Sequence, residues 1–378
     1  MTQTAYLDYN ASAPLRPQAA AAVTRALNLT GNASSVHAFG RRARACLEDA
    51  REAVAALVKA PPSAVVFTGG GTEANNLALT GMAGDGRRVL VSAGEHPSAL
   101  DAVDGAARIP LGHDGVVDLA RLERMLAGDE RPALVSVMLA NNETGVIQPL
   151  EAVVALARRH GALVHCDAVQ AAGKIAVDMT ELGVDAVSLS AHKLGGPQGV
   201  GALVADESLA LAPLLRGGGQ ERRRRAGTEN LPGIAGFGTA AELAAADVDG
   251  ASRLAALRDG LERRLRELAP EVRAIGAAAP RLPNTSCIAL PGLAAETLVM
   301  GLDLAGVAVS AGSACSSGKV APSHVLQAMG LDEAVAAAAI RVSFGWASAP
   351  ADVDLFLRAW GEICIRHAAA RRRHSPAA

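Results

Sequence analysis

The sequence predicts an α/β protein: a large domain with a mostly parallel sheet covered by helices, joined to a smaller α+β domain. Three observations predict it. Short apolar runs of strand length alternate with helical patterns through most of the chain. That alternation stops after about residue 250, where a charged helix and Pro-bounded strands take over. At 378 residues the chain is also long enough for two domains and a large core.

The helical patterns of the first part cover residues 18–27, 40–57, 119–127 and 150–160. Buried strands are predicted at 64–67, 88–92, 133–139, 162–165, 186–189 and 201–204, each a short run rich in Val, Leu and Ala. Such unbroken runs suit strands covered on both faces. In the second part, a charged helix at 252–268 precedes strands around 285–290 and 307–310, with helices near 296–304 and 352–369. The predicted division is a large domain over 16–250 and a small one made of 1–15 with 251–378.

Composition removes several function classes. Half the residues are hydrophobic but only 2% are aromatic, so Ala, Val and Leu must do the packing. A net charge of −2 leaves no overall electrostatic footprint for nucleic acid. Apolar stretches are broken by charge or Gly before they reach membrane-spanning length. The first residues lack a basic segment followed by an apolar one, so no secretory signal is expected. Cys46, Cys166, Cys287, Cys315 and Cys364 are odd in number and form no CxxC pair. That argues against a disulfide framework or a metal site and suits a reducing cytoplasm.

The chemistry begins with Lys193, in Ser190-Ala191-His192-Lys193, and Asp167, in His165-Cys166-Asp167-Ala168-Val169-Gln170. Both end short apolar runs, and ligands collect at strand ends in α/β sheets. A lysine and a carboxylate are the two anchors pyridoxal phosphate needs. One forms a Schiff base with the aldehyde, and the other keeps the ring nitrogen protonated. Taken alone, the lysine segment also reads as a polar turn. Thr68-Gly69-Gly70-Gly71-Thr72-Glu73 follows a strand and opens a helix, a place where backbone N–H groups can hold phosphate or simply turn. His96 follows another strand, able to stack on a planar ring or to cap a helix. Asn142, in Asn141-Asn142-Glu143, could bond a cofactor or form an Asx turn. Four consecutive arginines, Arg222 to Arg225, read as a phosphate-binding or solvated loop. Cys315 lies among small polar residues, Gly312-Ser313-Ala314-Cys315-Ser316-Ser317-Gly318. An exposed thiol there is available as a nucleophile, although an incidental surface cysteine fits too. The other four cysteines sit in apolar or helical contexts and read as small core residues.

Together these segments resemble the cysteine desulfurases, pyridoxal phosphate enzymes of fold type I in the class V aminotransferase group. The likeness runs from Leu7-Asp8-Tyr9-Asn10-Ala11 through Gly31-Asn32-Ala33-Ser34-Ser35-Val36-His37 to Ile340-Arg341-Val342-Ser343, in the family's order and near its spacing. The resemblance implies conversion of L-cysteine to L-alanine, with sulfur carried as a persulfide on Cys315. It implies Lys193 as the Schiff-base lysine and base, Asp167 on the ring nitrogen and His96 stacked on the ring. Gln170 and Asn142 would bond the ring's phenolic oxygen or hold substrate nearby. Gly71, Thr72, Ser190 and His192 would bind phosphate, and Thr228 would reach it from the other subunit of a homodimer. Arg341 would hold the substrate carboxylate, which suits a bidentate fork. The implied partner is a sulfur-acceptor protein, such as an iron–sulfur cluster scaffold or a thiolation protein. A selenocysteine lyase would share every cofactor residue, and an aminotransferase of this fold would need no Cys315. The chain departs from the pattern at Arg223, where the family commonly has glycine, at Ala226, where it has serine, and at Trp346, where many members carry a second arginine. The segment after Ala369 is short beside members whose longer tail docks a scaffold, and the stretch from Cys315 to Pro322 is long, which favours direct delivery of sulfur.

Overall fold

The computed structural model describes residues 4–84, 86–312 and 323–374, with side chains through His367. Cys315 and the stretch 313–322 lie outside the described residues. Seven strands form the large sheet in the order Val65–Thr68, Gly201–Ala205, Ala186–Ser190, Leu163–Asp167, Ala133–Ser136, Arg88–Ser92, Ala107–Ile109. Neighbours from Ala186–Ser190 to Ala107–Ile109 are parallel. Only Gly201–Ala205 runs against its neighbours on both sides.

Both faces of this sheet are covered, which is why its strands read as unbroken apolar runs. On one face, Phe67, Val135, Val164 and Leu189 join the helices Ala38–Leu57, Leu150–Arg159 and Leu231–Asp247. On the other, Val66, Val91 and Leu203 pack on Leu77 and Leu79 of the helix Gly71–Ala83.

The helix Leu231–Asp247 was not among the predicted ones, and its composition explains why. It is apolar nearly all round and rich in Gly and Ala, so it has no polar face to give a helical period. Those small residues let it lie close to its neighbours. A Cβ on Gly238 would stand 2.6 Å from Ala50 Cα, and one on Gly236 2.6 Å from Val23 Cγ2.

A four-stranded antiparallel sheet follows, in the order Ser310–Ala311, Ala339–Ser343, Thr285–Ala289, Arg273–Ile275. The predicted strand at 307–310 is divided: Val307–Ala308 instead pairs with the N-terminal Ala5–Tyr6. Leu261, Ile288, Leu298, Phe344 and Phe356 form the core here, with Phe356 stacked on Trp360 at 5.7 Å. Cys166 and Cys287 are core residues, whereas Cys46 and Cys364 are only half-buried on helix faces. No described helix is long and apolar enough to cross a membrane.

Candidate active site

Asp167 is the last residue of its strand and is buried. Its Oδ1 accepts the Val169 amide at 2.9 Å, and its Oδ2 accepts Asn75 Nδ2 at 2.7 Å. Asn75 comes from the helix Gly71–Ala83, and its Oδ1 has no partner among the described residues. Both of these donors to Asp167 are neutral, so among the described residues the buried carboxylate has no countercharge at hydrogen-bond distance. Fully buried Glu95 stands nearby. Burial, and then repulsion from Asp167, push its pKa well above the usual carboxylate range.

Lys193 ends a single 3-10 turn, Ala191–Lys193, that follows the strand Ala186–Ser190 directly. Its Nζ donates to the carbonyls of Asn10 at 2.6 Å and Ala11 at 2.8 Å. Burial, with the Arg341 charge second, lowers its pKa to about 8, against a smaller opposite pull from Asp8 and Asp167. His192 is half-buried, with Nδ1 3.3 Å from Ser12 Oγ. Burial and the Lys193 and Lys174 charges lower its pKa to about 4, so it is neutral near neutral pH.

Beside this turn is an open groove whose lining includes Ser12, Gly70, Gly71, Thr72, Ser190 and His192. Gly70 has φ +150°, and the next residue opens the helix Gly71–Ala83. A Cβ on Gly71 would lie 3.1 Å from Val169 Cγ2 and 3.3 Å from Ser190 Cβ. Glycine is therefore what lets the helix N-terminus approach the strand end, and unpaired amides at such an end attract anions.

Arg341 lies mid-strand in Ala339–Ser343 and is buried. Its Nη2 pairs with Asp8 at 2.8 Å, and its Nη1 donates to the Asn142 carbonyl at 3.2 Å. Its Nε has no partner among the described residues. Gln170 donates from Nε2 to the Asn10 carbonyl at 2.9 Å. His96 caps the short helix Pro97–Leu100, its Nδ1 accepting from the Ser98 amide at 3.1 Å, and its ring is exposed.

Thr228 is exposed and is not among the residues lining the groove of its own chain. The residue that sequence reasoning left without a role is Asn10. Besides Lys193 and Gln170, it bonds Thr285 Oγ1, Asn284 Nδ2 and the Asn142 carbonyl. It lies in the stretch 7–11 that carries the family likeness, but no local signal gives it a role, since its partners are scattered over the whole chain. Asn75, which donates to Asp167, stands two residues beyond the glycine-led segment 68–73 and has no signal of its own.

These residues suit pyridoxal phosphate. A protonated ring nitrogen would supply the countercharge that Asp167 lacks among the described residues, the glycine groove suits phosphate, and Lys193 is a half-buried amine that loses its proton readily. Similar proteins agree. The Aminotransferase class-V profile matches residues 5–356. A cysteine desulfurase from Cereibacter sphaeroides is 44% identical over 93% of each chain. Cysteine desulfurase IscS from Dictyoglomus turgidum is 39% identical, covering 94% of this chain and 93% of its own. The X-ray structure of a NifS-like protein from Rickettsia africae superposes with a TM-score of 0.90 at 34% identity, covering 96% of this chain and 100% of the other. The chain belongs to the class-V aminotransferase family, and pyridoxal phosphate is its cofactor.

Proposed function

We infer that the chain is a cysteine desulfurase, which takes sulfur from L-cysteine and leaves L-alanine. One observation carries the reading in a chain of this family: Lys193 and Arg341 are tied through Asn10 into one partly buried hydrogen-bonded cluster. A site for an amino acid needs both an amine at the reacting carbon and a cation for the carboxylate.

Bound there, the cofactor supplies an electron sink for charge that develops at the substrate's Cα. In this reading Asp167 keeps the ring nitrogen protonated, and His96 covers the ring. Gly71, Thr72, Ser190 and His192 hold the phosphate, which Thr228 completes from the other subunit of a homodimer. Gln170 and Asn142 hold the ring oxygen or the substrate beside it. Arg341 takes the substrate carboxylate, for which its buried Nε offers a donor. Lys193 moves the proton at Cα; with a pKa of about 8, a useful fraction is neutral near physiological pH. The thiolate of Cys315 attacks the substrate sulfur, the Cβ–S bond breaks, and its electron pair stays with the three-carbon product. A persulfide remains on Cys315 for transfer to an acceptor protein, with an iron–sulfur scaffold as the expected class. We place this enzyme in the cytoplasm, with the large domain over 16–250 and the small one over 1–15 and 251–378.

The test is Cys315→Ser. Alanine release from cysteine should collapse while the visible spectrum of the bound cofactor stays intact. Mass spectrometry of the wild type after brief exposure to cysteine should find one added sulfur on the Cys315 peptide. Near-normal turnover in the variant, or sulfur on another cysteine, would overturn the assignment. Mixed dimers of Thr228→Asp and Lys193→Ala should regain activity if Thr228 serves the neighbouring subunit.

A further inference from the structure

Lys174 is a second lysine, buried beside the half-buried Lys193, and the proposed reaction does not use it. It follows the strand Leu163–Asp167 by one turn and is 8% exposed. Its Nζ donates to Gln170 Oε1 at 2.6 Å and to Asn10 Oδ1 at 3.1 Å, both neutral oxygens. Burial and the Lys193 and Arg341 charges push its pKa well down. A buried amine with cations nearby and neutral acceptors is costly, so a simple packing role is better served by Met or Leu.

The hydrogen bonds allow only one orientation of Gln170. The Asn10 carbonyl can only accept, so the end of Gln170 that lies 2.9 Å from it is the amide nitrogen. The oxygen then faces Lys174, which donates to it. One amide hydrogen of Gln170 goes to Asn10, which leaves the second for another acceptor. We propose that Lys174 is a positioning residue: by donating to Gln170 Oε1 and Asn10 Oδ1, it fixes Gln170 as a hydrogen-bond donor to the ring oxygen of the cofactor. This rests on the reading of the cluster as the pyridoxal phosphate site.

The experiment follows the visible band of the wild-type holoenzyme as pH is raised and records the midpoint of its titration. The titratable and charged groups acting on this region are Lys193, Arg341, Asp8, Asp167, His96, His192 and Lys174 itself, and all but the last stay unchanged. A donor to the ring oxygen favours the deprotonated chromophore, so losing it raises the midpoint. Lys174→Met should raise it by about half a unit or more, the size expected for one hydrogen bond. Gln170→Met should do the same, and the double variant should go no further than Gln170→Met. Lys174→Gln keeps a neutral donor and should keep the wild-type midpoint, and it carries the test if Lys174→Met does not fold. An unchanged midpoint in Lys174→Met, shifts that add in the double variant, or a Lys174→Gln midpoint displaced like that of Lys174→Met would each overturn the proposal. A purely structural role would lower thermal stability without this pattern. A wild type with no visible band, or with a borohydride-fixed label away from Lys193, would instead remove the cofactor reading on which the proposal rests.

Discussion

The seven-stranded sheet delivers its residues from strand ends, whereas the four-stranded sheet delivers Arg341 from the middle of a strand. Asp167 closes one strand and Lys193 ends the turn after the next. Arg341 is flanked by Cys287 on one side and Ser310 on the other, so two ladders fix its backbone. A strand end lets the following turn aim a side chain or a backbone amide. A mid-strand position fixes where a long side chain starts and leaves its fork to be set by partners, here Asp8 and the Asn142 carbonyl. In the proposed site the larger sheet carries the cofactor's contacts, and the smaller one carries the cation for the substrate's charge. Damage to the two should therefore look different.

The largest effect belongs to Lys193→Ala. It should lower alanine formation by roughly 10³-fold or more, the scale of a lost general base. Borohydride should then fix no cofactor to the chain, whereas in the wild type peptide mapping should find the adduct on Lys193. Recovery of the label at Lys174 would break the contrast between the two sheets at its root.

Arg341→Gln should separate the sheets. Loss of one charge-assisted contact is worth about 1.5–3 kcal/mol, so KM for cysteine should rise roughly 10- to 100-fold. The visible spectrum should stay close to that of the wild type. If the cofactor is lost as readily as substrate affinity, the division of labour is wrong.

A third prediction concerns pH. The neutral amine of Lys193 is the form that captures an aldehyde, and its pKa of about 8 lies below that of an ordinary lysine. Capture of pyridoxal phosphate by the apoprotein should therefore speed up as pH rises through about 8 and level off above it. Arg341 helps hold that pKa down by like-charge repulsion, so Arg341→Gln should move the midpoint upward. Stopped-flow absorbance would read both. A midpoint near that of free lysine in the wild type would show that the two cations do not act on one another.

The smallest effect sharpens the comparison from outside the site. Arg223 has φ +66°, the last of three consecutive left-handed residues after Glu221 and Arg222. Glu221 is locked there by a buried bidentate pair with Arg51 and a bond from the Phe67 amide, which compels the turn. Arg223→Gly should relieve the conformation and raise stability by up to ~1 kcal/mol, with turnover unchanged. Thermal denaturation would show the change, and a fall in Tm would mean that the Arg223 side chain contributes more than its backbone costs.

The features that were legible in the sequence share a cause. Asp167, Lys193 and the Gly69–Thr72 turn each stand where an apolar run stops, so one local pattern places strand, turn and residue together. The role proposed for Arg341 came only from the family likeness, because nothing in Ala339–Ser343 distinguishes a ligand-binding arginine from an edge charge. Asn10, Asn75 and Lys174 gave no such pattern. Their chemistry arises from hydrogen bonds across the fold, and spacing along the chain does not encode those contacts. The helix Leu231–Asp247 escaped for a related reason: its glycines are set by how closely Ala50 and Val23 approach.

Asn10 also bears on how the protein is made. It contacts residues from the 140s, the 170s and the 190s, and its amide donates to Ser343 Oγ at 3.0 Å. A nascent chain completes all seven strands of the large sheet once residue 205 has emerged. The partners of Asn10 around residues 284, 285 and 343 are not yet made at that stage. Asn10, made well before the strands of the large sheet, is thus among the last residues to find its full set of contacts, and the floor beneath Lys193 matures only once residue 343 has been made. Long-range closure of this kind is slow, and it leaves the half-built site open to chaperones and to aggregation in the meantime.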